Sequence, residues 1–410
     1  MRPASEQLTE LSMNCAEIIP ADGLKTLLEA GRPLRIKLGF DPTRPDLHIG
    51  HAVVLRKLRQ FQDLGHTIIV IIGDFTAQIG DPTGKEETRP PLSPEEVAAN
   101  AQTYCDQLWN ILDESKTEVR FNSEWLKGMS MVDAIQLMGK FTVRQMLERD
   151  NFEKRYNAGQ PIGLHEFLYP LLQAYDSVAI RADVELGGTD QKFNLLRGRD
   201  LQPYHDQAPQ AVLTMPILTG LDGKQKMSKS LDNYIGLTET SQDMFGKMMS
   251  ISDEQLDEYG RLAAYLPEGF VKEKLAEIQT GKEHPMTFKK DIAQRVVALY
   301  QGQEAAHEAR LHWETAHQKR ELPPVATMDQ VEVAINGDPI TAPMLLADVA
   351  KFAASRGEAK RLIEGGGVKL NEEKLSNAAE DLREKLLAKP EGSVLQVGRR
   401  KFAFVKPVQS

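Results

Sequence analysis

No stretch constrains the fold of this chain more than residues 34–73. Leu34, Ile36, Leu38 and Phe40 alternate with other residues, the period-two mark of a strand. A proline-rich turn follows, Asp41-Pro42-Thr43-Arg44-Pro45-Asp46, and then Val54, Leu58 and Phe61 at helical spacing, with Gly65 placed to end the helix. Thr67-Ile68-Ile69-Val70-Ile71-Ile72-Gly73 is an apolar run of strand length. Strand, helix, strand in so short a space is a βαβ unit, and an unbroken apolar strand belongs in a parallel sheet covered on both faces. Such a sheet takes its ligands beyond the carboxyl ends of its strands. Those ends here are 39–41 and 73–81.

The chain has 410 residues, which predicts about two or three domains. A net charge of −9 argues against a generally cationic nucleic-acid coat, but leaves room for a local basic patch. Cys15 and Cys105 are the only two cysteines and stand far apart. A disulfide framework or a zinc site is therefore not expected, and a reducing compartment is. No apolar stretch is long enough to span a bilayer, and the N-terminus lacks the apolar core of a signal peptide, so the expectation is a soluble, cytoplasmic protein with no membrane contact. Residues 232–318 read as helical and charged. Leu322-Pro323-Pro324-Val325 and Asn336-Gly337-Asp338-Pro339 read as linker. From 342 the pattern is helix, short helix, Gly365-Gly366-Gly367, then short strands to Val405.

Four motifs carry chemistry. His48-Ile49-Gly50-His51 falls between the first strand and its helix. A helix N-terminus offers free N–H groups and a positive dipole end to phosphate. Gly50 lets a nucleobase or ribose lie against the backbone, and His48 and Thr43 are placed to donate to phosphate oxygens. The plainer reading is a pair of polar helix caps. Lys226-Met227-Ser228-Lys229-Ser230 follows Gly220-Leu221-Asp222-Gly223 and, taken alone, is a solvated turn. Tyr169, Gln173 and Asp176 stand at i, i+4 and i+7, one face of a helix, and Phe167, Leu168, Leu171 and Leu172 around them predict a half-buried element. Gly187-Gly188-Thr189-Asp190-Gln191 is the fourth. Two look-alikes fail. Gly80 to Lys85 has one residue too few between its glycines for a phosphate-binding P-loop, and His165-Glu166 has Tyr169 where a zinc-protease helix needs a second histidine.

The pair His48–His51 and Lys226–Ser230 resembles the two signatures of class I aminoacyl-tRNA synthetases, and Tyr169 to Asp176 resembles the tyrosine-binding helix of the tyrosyl-tRNA synthetases. The resemblance implies that L-tyrosine reacts with ATP, held as its Mg2+ complex, to give tyrosyl-adenylate and pyrophosphate. The tyrosyl group then passes to the 3′-terminal adenosine of tRNA(Tyr). It implies that Thr43, His48, His51, Lys226 and Lys229 are catalytic, the lysines stabilising pyrophosphate as it leaves. Tyr169, Gln173 and Asp81 would hold the ammonium group, Asp176 would accept the phenolic hydroxyl, and Gln191 would lie by the carboxylate. Gly39, Asp41, Gly50, Gly188, Asp190, Met227 and Ser228 would line the adenylate. Lys85 and Arg89 match a phosphate-contacting loop or are simply a charged turn. No resident metal is implied. One departure stands out: many members carry tyrosine at Lys37, where it gives the phenol a second hydrogen bond. Lysine there either extends elsewhere, leaving Asp176 as the main reader, or pairs with it.

Residues 342–406 resemble the small RNA-binding S4 domain. Arg356, Lys360, Arg361 and Lys369, with Arg399, Arg400 and Lys401, would form a patch for RNA backbone in an acidic protein. The implied architecture is α/β: a Rossmann-like parallel-sheet catalytic domain over 1–231, an all-helical anticodon-side domain over 232–320, a linker over 321–341, and a small α+β S4 domain over 342–410. The family is homodimeric, and the insertion at about 120–165, with Phe141 to Leu147, is the expected contact. A tryptophan-specific synthetase and small-substrate nucleotidyltransferases share some of these motifs. Asp176 and the S4-like tail argue against both. A non-catalytic RNA-binding descendant is opposed by the intact histidines and lysines of both signatures.

Overall fold

The computed structural model describes residues 1–42, 47–80, 93–317, 325–335, 339–398 and 401–408. By compactness the chain divides once, into Met1–Gln303 and Glu304–Ser410. The first unit is built on a six-stranded sheet: β1 (Glu17–Ile19), β2 (Arg35–Phe40), β3 (Thr67–Ile72), β4 (Thr117–Phe121), β5 (Val184–Gly188) and β6 (Ala211–Met215). The order across the sheet is β1-β6-β5-β2-β3-β4, and every pairing is parallel except β1 with β6. From β2 the chain builds outward through β3 and β4, then returns to build the other way from β5. The order therefore reverses between β2 and β5, where Ile36 faces Val184 and Lys37 faces Glu185.

The expected βαβ unit is β2, the helix Ile49–Asp63 and β3. Phe61, Leu58 and Leu55 bury one side of that helix. It stops at Gly65, whose φ of +90° most side chains resist; Gly65 N–H reaches Gln62 O and His66 N–H reaches Phe61 O. Alternation in β2 suggests one solvated face, but Ile36, Lys37 and Leu38 are all buried, because β2 is a central strand. The 120–165 insertion holds four short helices, Ser123–Leu126, Met131–Met138, Val143–Leu147 and Asp150–Asn157. The long helix Leu164–Ala179 follows.

Beyond β6, the helices Ser241–Met248 and Pro285–Gln301 bury Met244, Phe245, Met248, Phe288, Ile292 and Val296. The border expected near 231 is thus no break in packing: residues through Gln303 belong to the first unit. In the second unit, β7 (Asp329–Ala334), β8 (Val368–Leu370), β9 (Glu373–Lys374), β10 (Ser393–Val397) and β11 (Lys401–Val408) form a sheet of order β7-β11-β10-β8-β9. Leu345, Leu346, Ile363, Val368, Leu395 and Val405 make its core. The stretch expected as linker therefore contains β7, paired in parallel with β11. Its short, mostly exposed alternation hides it among turn residues.

Candidate active site

The reversal between β2 and β5 opens a cavity of about 350 Å³ beyond their carboxyl ends, where open parallel sheets take ligands. Gly39 and Asp41 reach it from β2, and His48, Gly50 and His51 from the start of the Ile49–Asp63 helix. Tyr169, Gln173 and Asp176 come from the Leu164–Ala179 helix, Gly188, Asp190 and Gln191 from the end of β5, and Lys226, Met227, Ser228 and Lys229 from the loop after β6. The structure so brings together every site residue expected in the first unit that it describes. Thr43, Asp81, Lys85 and Arg89 lie outside the described residues.

One end of the cavity is open. His48 precedes the helix with extended backbone, and of the first-turn amides Ile49 N–H donates to Ile235 O and His51 N–H to His48 O. Its own N–H donates to His51 Nδ1 at 3.2 Å, and the two rings lie 3.8 Å apart. As Nδ1 of His51 accepts, its ring proton sits on Nε2. Burial above all, then the neighbouring His51 and Lys229, pulls His48 down to about 2. Burial, with Lys229 and Lys226, pulls His51 to about 4. Both imidazoles are neutral at pH 7.

The backbone ties the two signatures together. Ile49 N–H donates to Ile235 O at 3.0 Å and Leu237 N–H to Leu47 O at 3.1 Å, pinning the chain beyond the lysine loop to the helix start. Within the loop, Met227 N–H meets Leu218 O at 2.9 Å, and Ser228 N–H donates to Asn233 Oδ1 at 2.8 Å. Lys226 Nζ lies 2.9 Å from Asp190, and Lys229 Nζ stands 5.6 Å from the centre of the Tyr234 ring. The Lys226–Asp190 bridge is solvent-exposed, so it is weak and exchangeable.

The other end is closed. Asp176 is 3% exposed and accepts from Trp125 Nε1 at 2.8 Å, with Asn122 Nδ2 at 3.5 Å. Asn122 also donates to Thr76 Oγ1 at 3.0 Å, Thr76 to Asp41 Oδ1 at 2.8 Å, and Tyr169 O–H to Asp41 Oδ2 at 2.8 Å. A polar arc thus links Tyr169 to Asp176. A Cβ on Gly73 would stand 2.1 Å from Asp41 Oδ1 and 2.4 Å from Thr76 Oγ1, so a side chain there would break the arc. Burial pushes the Asp176 carboxyl up to about 7, against the opposing pull of Lys37 and of the Trp125 and Asn122 hydrogen bonds. Lys37 itself turns to Glu185, 2.8 Å away, and donates to Ser177 Oγ and the Gln173 carbonyl.

Sequence reasoning missed Thr76, Asn122, Trp125 and Glu185. Thr76 and Asn122 follow the ends of β3 and β4, and the strand-end rule applied to those strands points to both. Trp125 carries no local signal. Asp41, expected along an adenylate, is bonded to Tyr169. Among the described residues no group of three or more His, Cys, Asp or Glu is arranged to hold a metal, and no helix is long and apolar enough to cross a membrane.

In the second unit Arg356, Lys360 and Arg361 lie exposed on the helix Arg356–Glu364, and Lys369 lies exposed on β8. Arg356 pairs with Asp348. Arg399 and Arg400 lie outside the described residues.

Residues 29–318 match the family described as tRNA synthetases class I (W and Y), and residues 344–386 match the S4 domain. A tyrosine–tRNA ligase of Oleidesulfovibrio alaskensis is 52% identical over 373 residues, covering 91% of this chain and 93% of that protein. One from Desulfotalea psychrophila is 47% identical over 410 residues, covering 99% of each. Among solved structures, the tyrosyl-tRNA synthetase complexed with L-tyrosine from Archaeoglobus fulgidus superposes with a TM-score of 0.61 at 22% identity, over 75% of this chain and 99% of that one. That last likeness speaks for the fold.

Proposed function

The chain belongs to the class I tRNA synthetases of tryptophan and tyrosine, and to the tyrosine–tRNA ligases among them, and from that premise we propose how its cavity works. It activates L-tyrosine with ATP to tyrosyl-adenylate and pyrophosphate, then transfers the tyrosyl group to the 3′-terminal adenosine of tRNA(Tyr). One observation carries the reading of the site. A single cavity has a buried carboxylate, Asp176, at its closed end and two neutral histidines, a helix N-terminus and two lysines at its open end.

Tyrosine lies along the Leu164–Ala179 helix. Asp176 stands seven positions after Tyr169, a rise of about 10 Å, which spans the amino acid from ammonium to phenol. The phenol donates to Asp176, while Tyr169, Gln173 and Asp81 hold the ammonium, with Asp41 fixing the Tyr169 hydroxyl. Gln191 steadies the carboxylate. ATP enters as its magnesium complex along Gly39, Gly50, Gly188, Met227 and Ser228. The ionised carboxylate attacks the α-phosphorus, the new oxygen–phosphorus bond forms, and the bond to pyrophosphate breaks. No proton has to be removed, so catalysis is positioning and charge. Thr43 and His48 donate to phosphate oxygens, and the His51 Nε2–H points a second donor at the nucleotide. Lys226 exchanges Asp190 for pyrophosphate, which frees Asp190 for the ribose hydroxyls. Lys229 neutralises the leaving charge, with Lys85 and Arg89 in support.

The second unit binds the tRNA through Arg356, Lys360, Arg361 and Lys369, and the helices of 232–303 face its anticodon side. We place the protein in the cytoplasm, where its free cysteines, Cys15 and Cys105, stay reduced. It acts as a homodimer through the insertion, where Met131, Val132, Ile135, Val143 and Leu164 expose apolar side chains, Leu164 to 84%. Sedimentation of Val132→Asp tests this: a monomer is expected, and an unchanged dimer moves the interface elsewhere.

Exchange of labelled pyrophosphate into ATP tests the enzyme reading. Tyrosine is expected to support it, and tryptophan and phenylalanine are not. Exchange with tryptophan overturns the assignment of the closed end, and no exchange with any of the three overturns the enzyme.

A further inference from the structure

Lys37 and Glu185 are both fully buried, and neither lines the cavity. Taking two charges out of water is costly, and an apolar pair of similar volume commonly serves stability as well or better. The pair sits where the sheet reverses: Lys37 on β2 faces Glu185 on β5, just below the strand ends that form the cavity. Its contacts lead to one element. Lys37 Nζ donates to Glu185 Oε1 at 2.8 Å, to Ser177 Oγ at 2.8 Å and to the Gln173 carbonyl at 3.0 Å, which uses all three of its protons. Glu185 Oε2 accepts from Ser177 Oγ–H at 3.0 Å and from Gln210 Nε2, while Oε1 lies 3.5 Å from Gln173 Nε2. The lysine therefore holds the backbone of Gln173, the glutamate lies by its amide, and both grip Ser177, the neighbour of Asp176.

We propose that the Lys37–Glu185 ion pair determines specificity for tyrosine: it is a positioning pair that seats Gln173 and Asp176 on the sheet and sets the charge with which Asp176 meets the phenol. This rests on Asp176 as the phenol reader. The groups facing Asp176 are Lys37 from β2, Glu185 from β5, Asn122 and Trp125 from the segment after β4, and Thr76 with Asp41 and Tyr169 along the polar arc. Of the two buried charges, Lys37 draws the Asp176 carboxyl down and Glu185, the lesser influence, pushes it up. Removing one or the other therefore moves it in opposite directions. A pair that only holds the fold together has no such sign.

The test is kcat/KM for tyrosine and for phenylalanine in pyrophosphate exchange, followed across the range of about pH 5 to 9 where a carboxyl near neutrality titrates. The KM for ATP serves as control. Lys37→Met is expected to move the acid limb for tyrosine to higher pH and Glu185→Gln to lower pH. The Lys37→Met, Glu185→Gln double variant falls between them, above the parent. At neutral pH the Lys37→Met loss is on the order of tenfold, the effect of one unit of carboxyl shift, and falls on the KM for tyrosine. The KM for ATP stays put. If Lys37→Met does not fold, the double variant, which buries no unpaired charge, decides. A limb that stays at the parental pH in the variants that fold, or that moves the same way in both single variants, overturns the proposal. Asp176→Asn keeps the two readings apart. Should it retain the preference for tyrosine, the reading of Asp176 fails. Should it lose preference and limb together while the ion-pair variants keep the parental limb, only the present proposal fails.

Discussion

The two ends of the cavity are built on opposite plans. At the closed end Asp176 is buried, and Trp125, Asn122, Thr76, Asp41 and Tyr169 form a chain of hydrogen bonds that stands complete without a ligand. At the open end the lysine loop is held by exchangeable contacts. His48 Nδ1 is a buried atom with no hydrogen-bond partner among the described residues, and Lys226 rests on Asp190 in an exposed bridge. The contrast follows from the tasks. Selecting one amino acid requires an acceptor fixed before the substrate arrives, so that an analogue without the hydroxyl leaves it desolvated and unmatched. Driving off pyrophosphate requires donors that strengthen their hold as charge develops and then let go.

The largest effect expected from breaking this contrast is at the open end. His48→Ala should lower the adenylation rate by about 10²- to 10³-fold, as loss of a transition-state donor does. Tyrosine binding, read by equilibrium dialysis, should be unchanged. Asp176→Asn should do the reverse: kcat/KM for tyrosine falls about 10- to 100-fold, the value of a hydrogen bond to a charged group, while phenylalanine is untouched. The pH profile separates the ends as well. With Asp176 near 7, tyrosine affinity should fall as pH drops through 7, because protonation removes the charge that strengthens the acceptor. No limb should arise near 6.5 from His48 or His51, which stay neutral down to about 2 and 4.

Stability gives a smaller effect of known sign. The Asp176 carboxyl is raised from 3.8 to about 7, so the folded state favours the proton. That contribution is complete below 3.8 and is lost as pH rises through 7. Asp176→Asn should therefore melt higher than the parent at about pH 8, and the gain should shrink toward about pH 4, read by thermal denaturation without ligand. The smallest effect lies outside both ends. Lys360→Ala should leave pyrophosphate exchange intact and lower the salt dependence of tRNA binding by about one ion.

Much of the site is legible in the amino-acid sequence alone. Residues 34–73 predict the βαβ unit, and the strand-end rule puts 39–41 beside a ligand. The signatures and the face formed by Tyr169, Gln173 and Asp176 converge on the same cavity. What stays hidden depends on strand order. Nothing near Lys37 in the chain announces Glu185, because β2 and β5 become neighbours only when the sheet reverses. Trp125 is hidden for a similar reason: it sits on a short helix in the insertion and reaches Asp176 only once that helix lies over the sheet edge. Domain organisation is least legible where local pattern and packing differ. The 232–303 helices look like a separate helical domain in composition, yet they pack with the first unit, and β7 reads as linker until β11 pairs with it.

A structure of the protein with a non-hydrolysable tyrosyl-adenylate analogue tests the two-ended cavity most directly. The phenol oxygen is predicted within hydrogen-bonding distance of the Asp176 carboxylate, with the phosphate at the N-terminus of the Ile49–Asp63 helix beside His48. An analogue bound the other way round, or with its phenol away from Asp176, would contradict the division of labour between the two ends.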